Sequence, residues 1–268
     1  MHWRERADNV LSESDRRFDM STRKFQAGYT LIEIVVVIVI IAILATTAIR
    51  SMRTINDVTR VETTRQTLDR LAAAIVGDPN ITSEGTRINY GYVGDIGSLP
   101  PNLDALVQNP GSYSTWRGPY VRDQYTSGGA NTEFKKDGWG TDIAYTGGVT
   151  LTSTGNGSPI ARNLANSADN LLHNRVTLVV ADQDGNVPGT VYKDSVSFVL
   201  SYPDGSGGIT TRSEHPDRNG YAVFDSTPIG QQTLRVIYSP ANDTLTRVIT
   251  INPGEDSYSQ INLFRNVW

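Results

Sequence analysis

The sequence predicts an α+β protein in which a long N-terminal helix packs on a small β-sheet head and is followed by an all-β, seven-stranded sandwich. Three observations predict this class. Apolar residues fill 29–49, a helical pattern continues beyond them to about Val76, and short alternating segments begin near Asn174. With 268 residues, the chain is long enough to form more than one core.

The apolar run is long enough to cross a bilayer. It contains 21 residues from Tyr29 to Ile49, and Glu33 carries the only formal charge among them. About 20 apolar residues cover the hydrocarbon core. A carboxylate near mid-membrane costs about 2.5–3.5 kcal/mol, so Glu33 requires compensation. Arg23 and Lys24 precede the run and predict a cytoplasmic N-terminus with translocation of the rest of the chain.

Three interpretations of this run compete. A cleaved secretory signal has a shorter apolar region of about 7–15 residues, although Thr46-Thr47-Ala48 could serve as its cleavage site. A plain membrane anchor explains the length but leaves Glu33 unexplained. The third interpretation rests on Gly28-Tyr29-Thr30-Leu31-Ile32-Glu33, which follows the two basic residues. This segment closely resembles the class III leader junction of type IV pilins and type II secretion pseudopilins.

The resemblance implies that a prepilin peptidase cleaves between Gly28 and Tyr29. Tyr29, which replaces the family's usual Phe, would then be N-methylated. Glu33 becomes the fifth residue of the processed chain. In the family, a glutamate at this place pairs with the N-terminal amine of a neighbouring subunit during filament assembly. Such a partner offsets the cost of the carboxylate in lipid, which would explain Glu33.

The same resemblance implies partners and a location. The partners are the prepilin peptidase, an inner-membrane assembly platform, and copies of the chain or other pilins in a helical filament. Nucleic acid is not expected, because a net charge of −4 gives no basic field. The implied location is the inner membrane, crossed once with the N-terminus cytoplasmic, and a periplasmic or extracellular filament after assembly.

An amphipathic pattern extends the predicted helix past the apolar run. One side carries apolar residues, while charged and amide residues occupy the other faces. Gly77-Asp78-Pro79 then ends the helix, because glycine suits the C-cap and proline cannot continue it. The apolar residues of this pattern are Met52, Ile55, Val58, Val61, Leu68, Leu71 and Ile75.

The segment 78–165 is predicted as a globular head. It contains Trp116-Arg117-Gly118-Pro119-Tyr120 and Asp137-Gly138-Trp139-Gly140. Both motifs resemble the head of the major type II secretion pseudopilin, in which a proline stands at the position of Gly138. A short helix capped by Asn102 is expected between Leu99 and Val107.

The resemblance also raises the question of a calcium site. The last loop of that pseudopilin binds calcium through aspartates, but the matching loop here, Thr152–Ser158, has no carboxylate. Asn156 and Asp169 remain as candidate calcium ligands, and no other cofactor is expected. The absence of cysteine excludes disulfides and thiolate metal sites.

The C-terminal part, 174–268, is predicted to form seven short strands separated by turns, a pattern typical of a β-sandwich. Asp182-Gln183-Asp184-Gly185 matches the start of an EF-hand loop, but position 12 of that loop is Lys193, so a hairpin turn is predicted. This segment and Asn219-Gly220-Tyr221 resemble the transthyretin-like, carboxypeptidase-regulatory sandwiches. The predicted strands are 176–181, 195–202, 208–213, 221–225, 233–238, 246–252 and 258–264.

No sequence motif predicts catalysis. The three histidines are scattered, and no metalloprotease, phosphate-loop or nucleophile-elbow motif occurs, so the protein is not expected to be an enzyme. Two functions stay open: a structural subunit of a type IV pilus-like or type II secretion pseudopilus filament, and a minor tip pilin or adhesin-like module that binds through its sandwich. The predicted segments are a leader at 1–28, the helix at 29–77, the head at 78–165, a linker at 166–173 and the sandwich at 174–268.

Overall fold

The computed structural model describes residues 28–121 and 132–268. The chain forms two compact units, Met1–Met52 and Arg53–Trp268. Apart from Gly28, the predicted leader lies outside the described residues, and so do its basic residues Arg23 and Lys24.

Helix α1 runs from Leu31 to Val76 and confirms the predicted long helix. Its end is set by Gly77, which has φ +83° and donates a hydrogen bond from its N–H to the Ala73 carbonyl at 2.9 Å. A Cβ atom at this position would lie 2.3 Å from the Asn89 carbonyl oxygen. Only glycine fits both the left-handed backbone and this close approach.

The head is built from short elements around the C-terminal part of α1. Its core contains Leu71 and Ile75 of α1 together with Tyr92 and Leu106, all fully buried. The elements are β1 (Thr82–Ser83), β2 (Thr86–Arg87), α2 (Gly91–Ile96), 3₁₀ turns at Leu103–Leu106 and Glu133–Lys135, β3 (Thr150–Ser153), β4 (Ile160–Asn163) and α3 (Asp169–Leu172). Two short antiparallel pairs, β1–β2 and β3–β4, give the head its sheet structure.

The predicted short helix after Leu99 is confirmed as the 3₁₀ turn Leu103–Leu106. The side chain of Asn102 caps it by accepting a hydrogen bond from the Ala105 N–H at 3.1 Å. This bond satisfies a backbone donor that the turn itself leaves free.

The predicted seven-stranded sandwich is confirmed. The strands are β5 (Asn174–Ala181), β6 (Val196–Pro203), β7 (Ile209–Glu214), β8 (Tyr221–Thr227), β9 (Gly230–Tyr238), β10 (Asp243–Ile251) and β11 (Ser257–Asn262). The four-stranded sheet has the order β10-β9-β6-β7, and the three-stranded sheet has the order β11-β5-β8. Phe198 and Leu200 of β6 and Phe224 of β8 are fully buried in the core between the sheets.

Four loops share one local structure, in which an aspartate carboxylate accepts backbone hydrogen bonds from the two residues that flank a glycine. The glycine lies three residues after the aspartate. They begin at Asp137, Asp182, Asp204 and Asp217. In each loop, Oδ1 accepts hydrogen bonds of 2.8–3.0 Å from the backbone N–H groups two and four residues further on. The four glycines have φ between +81° and +89°. The turns predicted between strands of the sandwich therefore have a specific mechanism at Asp182, Asp204 and Asp217.

At Asp182 the turn is present but the predicted hairpin is wrong. Strand β5 lies in the three-stranded sheet and β6 in the four-stranded sheet, so the two strands do not pair. A short helix, α4 (Gly189–Tyr192), lies between them. Asp182 is buried and its Oδ1 bonds the Asp184 and Asn186 N–H groups.

Head and sandwich are joined by backbone hydrogen bonds. The segment predicted as a linker, 166–173, contains α3, and its Leu171 is fully buried in the head core. The Leu171 carbonyl accepts a hydrogen bond from the Ile229 N–H at 2.9 Å, and the Ile96 carbonyl accepts one from the Gly205 N–H at 2.8 Å. Residues on both sides of the predicted linker therefore belong to one compact unit.

Candidate functional site

The candidate site is the N-terminal part of α1 together with the residues just before it. Every described residue from Gly28 to Met52 is exposed. The large apolar side chains between Tyr29 and Ile49 are 45–84% exposed. In a protein surrounded by water, side chains of this kind are usually buried. By length and composition, α1 is able to cross a membrane, and its most apolar stretch has no buried residue. An apolar surface of this extent marks a lipid or protein contact.

Glu33 lies in the first turn of α1 and is exposed. Its backbone N–H donates to Thr30 at two atoms, the carbonyl oxygen at 3.0 Å and Oγ1 at 3.3 Å. Thr30 therefore caps the helix start. A carboxylate in the first turn is also favoured by the positive end of the helix dipole.

This cap was missed at the sequence level, although the signal is readable. Thr30-Leu31-Ile32-Glu33 has the spacing of a capping box, in which a threonine is followed by a glutamate three residues later. The structure contains the hydrogen bond from the Glu33 N–H to the Thr30 side chain. This hydrogen bond uses the backbone of residue 33, so it explains the start of the helix but not why residue 33 is a glutamate.

The predicted apolar pattern of α1 divides into two parts. Leu68, Leu71 and Ile75 are buried in the head core. The most N-terminal buried residue of α1 is Thr64. Ile55 and Val58, which precede it on the helix, are 61% and 64% exposed. The apolar face of the helix therefore extends beyond the part that the head covers.

Helix α1 is attached to the head through Thr64 and Gly138. The Gly138 N–H donates to Thr64 Oγ1 at 2.9 Å, and Thr64 Oγ1 donates to the Arg60 carbonyl at 2.8 Å. A Cβ atom on Gly138 would lie 2.3 Å from that same carbonyl oxygen. A proline at position 138 has no N–H and carries a Cβ atom, so the glycine is required by this contact.

The predicted calcium ligands lie in different environments. Asn156 is exposed in the turn after β3. Asp169 is exposed at the start of α3, and its Oδ1 lies 2.8 Å from His173 Nδ1. Among the described residues, no group of three histidine or carboxylate side chains could hold a metal ion. Both residues stay predictions as calcium ligands.

The carboxylate that does face the predicted calcium loop belongs to Asp137. Its Oδ2 accepts hydrogen bonds from Ser153 Oγ at 2.6 Å and from the Gly155 N–H at 3.2 Å, while Oδ1 accepts from the Trp139 and Thr141 N–H groups at 2.9 Å. Burial alone would raise the pKa of Asp137, but these hydrogen bonds hold it below its ordinary value. These hydrogen bonds connect Asp137 to the loop that follows β3.

Residues 23–49 match the model of the prokaryotic N-terminal methylation motif. The match covers the two basic residues, the Gly28–Tyr29 junction and the apolar run. This motif is a type IV pilin signal. The N-terminal segment is therefore pilin-like.

No curated protein sequence matches the chain. Among solved structures, the chain is similar over 39% of its length to the Bacillus anthracis TIE protein, with 14% identity and a TM-score of 0.29. It is similar over 40% of its length to a streptococcal ancillary pilin, with 15% identity and a TM-score of 0.23. It is similar over 44% to the major pilin subunit of Bacillus cereus, with 11% identity and a TM-score of 0.23.

The chain spans only 18%, 39% and 37% of these three structures. Similarities at such TM-scores carry no argument about this protein. The functional interpretation rests on the methylation motif and on the exposed apolar helix behind it.

Proposed function

We propose that the protein is a structural, non-enzymatic subunit of a type IV pilus-like or type II secretion pseudopilus filament. A prepilin peptidase cleaves it between Gly28 and Tyr29, and Tyr29 is then N-methylated. The processed chain crosses the inner membrane once, with its N-terminus cytoplasmic, until an assembly platform inserts it into a periplasmic or extracellular filament. The single observation that carries this proposal is a methylation motif followed by an apolar helical stretch, 31–49, in which every residue is exposed.

Glu33 has a defined part in this assembly. In the lipid its carboxylate is costly, and the local cap from Thr30 satisfies only the backbone of Glu33. The free amine of a neighbouring processed chain supplies the opposite charge, which lowers that cost when the two chains dock in one register. Neutralising Glu33 therefore acts on assembly and leaves cleavage unaffected.

The second candidate is a minor tip pilin or adhesin-like module that binds through its sandwich. One observation favours it: the seven strands of the sandwich enclose a buried core of their own. The resemblance to transthyretin-like sandwiches stays a prediction, as does the choice between pseudopilus and surface pilus. Copy number relative to other filament proteins distinguishes a major subunit from a tip subunit.

The test is intact mass and N-terminal peptide mapping of the protein from native cells, with sheared filaments separated from membranes. We expect a chain that begins at N-methylated Tyr29 and is enriched in the sheared fraction. The variant Glu33→Gln should be cleaved normally but fall at least tenfold in the sheared fraction, because it lacks the pairing charge. The matched control is Glu62→Gln, which removes an exposed carboxylate from the same helix.

Two results would contradict the proposal. A chain that begins at Met1, or directly after Ala48, would identify an anchored or ordinarily secreted protein. Equal amounts of Glu33→Gln and wild type in the sheared fraction would remove the assembly role of Glu33.

A further inference from the structure

A polar cleft of about 460 Å³ lies where the head meets the sandwich. Its floor is the outer face of the four-stranded sheet, and its wall comes from α2 and the segment 114–117 of the head. The volume falls in the range of small-molecule sites, which often lie between packed domains. The filament proposal does not use this cleft.

The floor presents neutral hydrogen-bonding groups that are not used by the fold. Ser201 of β6 and Thr233 of β9 are direct cross-strand partners, and Gln231 is two residues from Thr233 on the same face. Within the described parts of the chain, the side chains of these three residues form no hydrogen bond. Gln231 and Thr233 are exposed, so their donors and acceptors are available to a ligand.

The wall adds one unpaired hydroxyl and one weak ion pair. Thr115 Oγ1 is buried and has no hydrogen-bond partner among the described residues, a costly state for a polar atom. Asp95 Oδ2 accepts a hydrogen bond from the Tyr120 hydroxyl at 2.8 Å, and Asp95 Oδ1 lies 3.8 Å from Arg117 Nε. The Arg117 side chain is 83% exposed, so its remaining N–H donors face solvent.

We propose that this cleft binds a saccharide. Hydroxyl and amide groups on the floor match the alternating donors and acceptors of a polyhydroxylated ring, and Asp95 Oδ1 offers an acceptor for sugar hydroxyls. Ile209, which is 60% exposed at the cleft, supplies an apolar contact for the C–H face of the ring. The proposal does not depend on the filament function and adds a ligand to the sandwich.

The charges of the cleft favour saccharides over anionic ligands. Asp95 and Arg117 are the only charged residues among the described lining residues, so the cleft has no net positive charge for a phosphate. Tyr90 also lines it, but this residue is only 5% exposed and offers no stacking surface. Binding therefore depends on hydrogen bonds, and we expect weak affinity with fast exchange.

The experiment is saturation-transfer difference NMR on the full chain in micelles of a phosphocholine detergent, because alkyl glucosides would compete. The probes are glucose, galactose, N-acetylglucosamine and glucuronic acid, with triglycine as the probe for a peptide ligand. We expect transfer to at least one saccharide. Gln231→Ala and Thr233→Val should each weaken its binding about fivefold, the loss of roughly one hydrogen bond.

The matched control is Thr246→Val. Thr246 is an exposed threonine of β10, directly opposite Arg235 of β9 and outside the cleft, so this variant should bind the saccharide as wild type does. Three results would overturn the proposal: no transfer to any of the four saccharides, equal transfer in wild type and both cleft variants, or transfer to triglycine alone. None of these results bears on cleavage at Gly28 or on filament recovery, so the two proposals fail separately.

Discussion

Gly138 lies against the backbone of α1, and it gives the first prediction at this scale. Gly138→Ala places a Cβ atom 2.3 Å from the Arg60 carbonyl oxygen, so the backbone must move. We expect a loss of about 1–3 kcal/mol in the free energy of unfolding, typical of overpacking. Urea denaturation of the full chain in micelles, followed by circular dichroism, measures it.

Gly148→Ala is the matched control, because a Cβ atom there meets nothing within 4 Å. Its free energy of unfolding should stay within about 0.5 kcal/mol of wild type. If both alanine variants were equally stable, the contact between Gly138 and Arg60 would not hold the head on the helix.

Asp137 predicts a pH dependence at the residue scale. Its folded-state pKa lies below the ordinary value of 3.8, so its contribution to stability is present above that value and is lost as pH falls through the folded pKa. Asp137→Asn should cost about 2 kcal/mol at pH 7, because the charge-assisted hydrogen bonds weaken. The difference between variant and wild type should shrink as pH falls below 3.8.

Urea denaturation at pH 7 and at pH 3 measures this difference. Asp57→Asn, which removes an exposed carboxylate of α1, is the control and should differ little from wild type at either pH. A constant difference between Asp137→Asn and wild type at both pH values would contradict the assignment of the effect to the Asp137 charge.

At the scale of elements, local patterns predicted the strands well and their partners poorly. Alternation located all seven strands of the sandwich, because most of them bury one face against the other sheet, although β7 has no buried residue. The parallel pairing of β11 with β5 joins segments about 80 residues apart, which no local signal specifies. Helix α2 was not predicted either, since six residues that include two glycines carry little helical pattern.

The candidate site was also predictable only in part. The apolar run, Gly28, Tyr29 and Glu33 are all adjacent in sequence, so their grouping was predictable without a structure. The point at which the head begins to cover α1 was not, because Ile55 and Val58 continue the same period as Leu68 and Leu71. The polar cleft could not be predicted from the sequence either, because its floor and wall come from residues more than 80 positions apart.

At the scale of the whole molecule, the junction of head and sandwich is a backbone contact. Gly97 of the head has φ +81°, and a Cβ atom there would lie 2.4 Å from the Pro203 carbonyl oxygen. Nearby, the Gly205 N–H donates to the Ile96 carbonyl and the Ser114 N–H donates to the Gly207 carbonyl at 2.9 Å. Since backbone atoms have little freedom to adjust, local opening of the head should open the adjoining strands as well.

The variant Gly97→Ala tests this coupling, and Gly157→Ala is its matched control. Both glycines have positive φ, so both variants incur about 1–2 kcal/mol of backbone strain, but a Cβ atom on Gly157 meets nothing within 4 Å. In Gly97→Ala, hydrogen exchange measured by mass spectrometry should rise about 5- to 150-fold in both α2 and β6, which corresponds to 1–3 kcal/mol. In Gly157→Ala the exchange of α2 and β6 should stay as in wild type. Faster exchange in α2 with unchanged β6 in Gly97→Ala would mean that head and sandwich open independently, and the sandwich would then be a tethered domain.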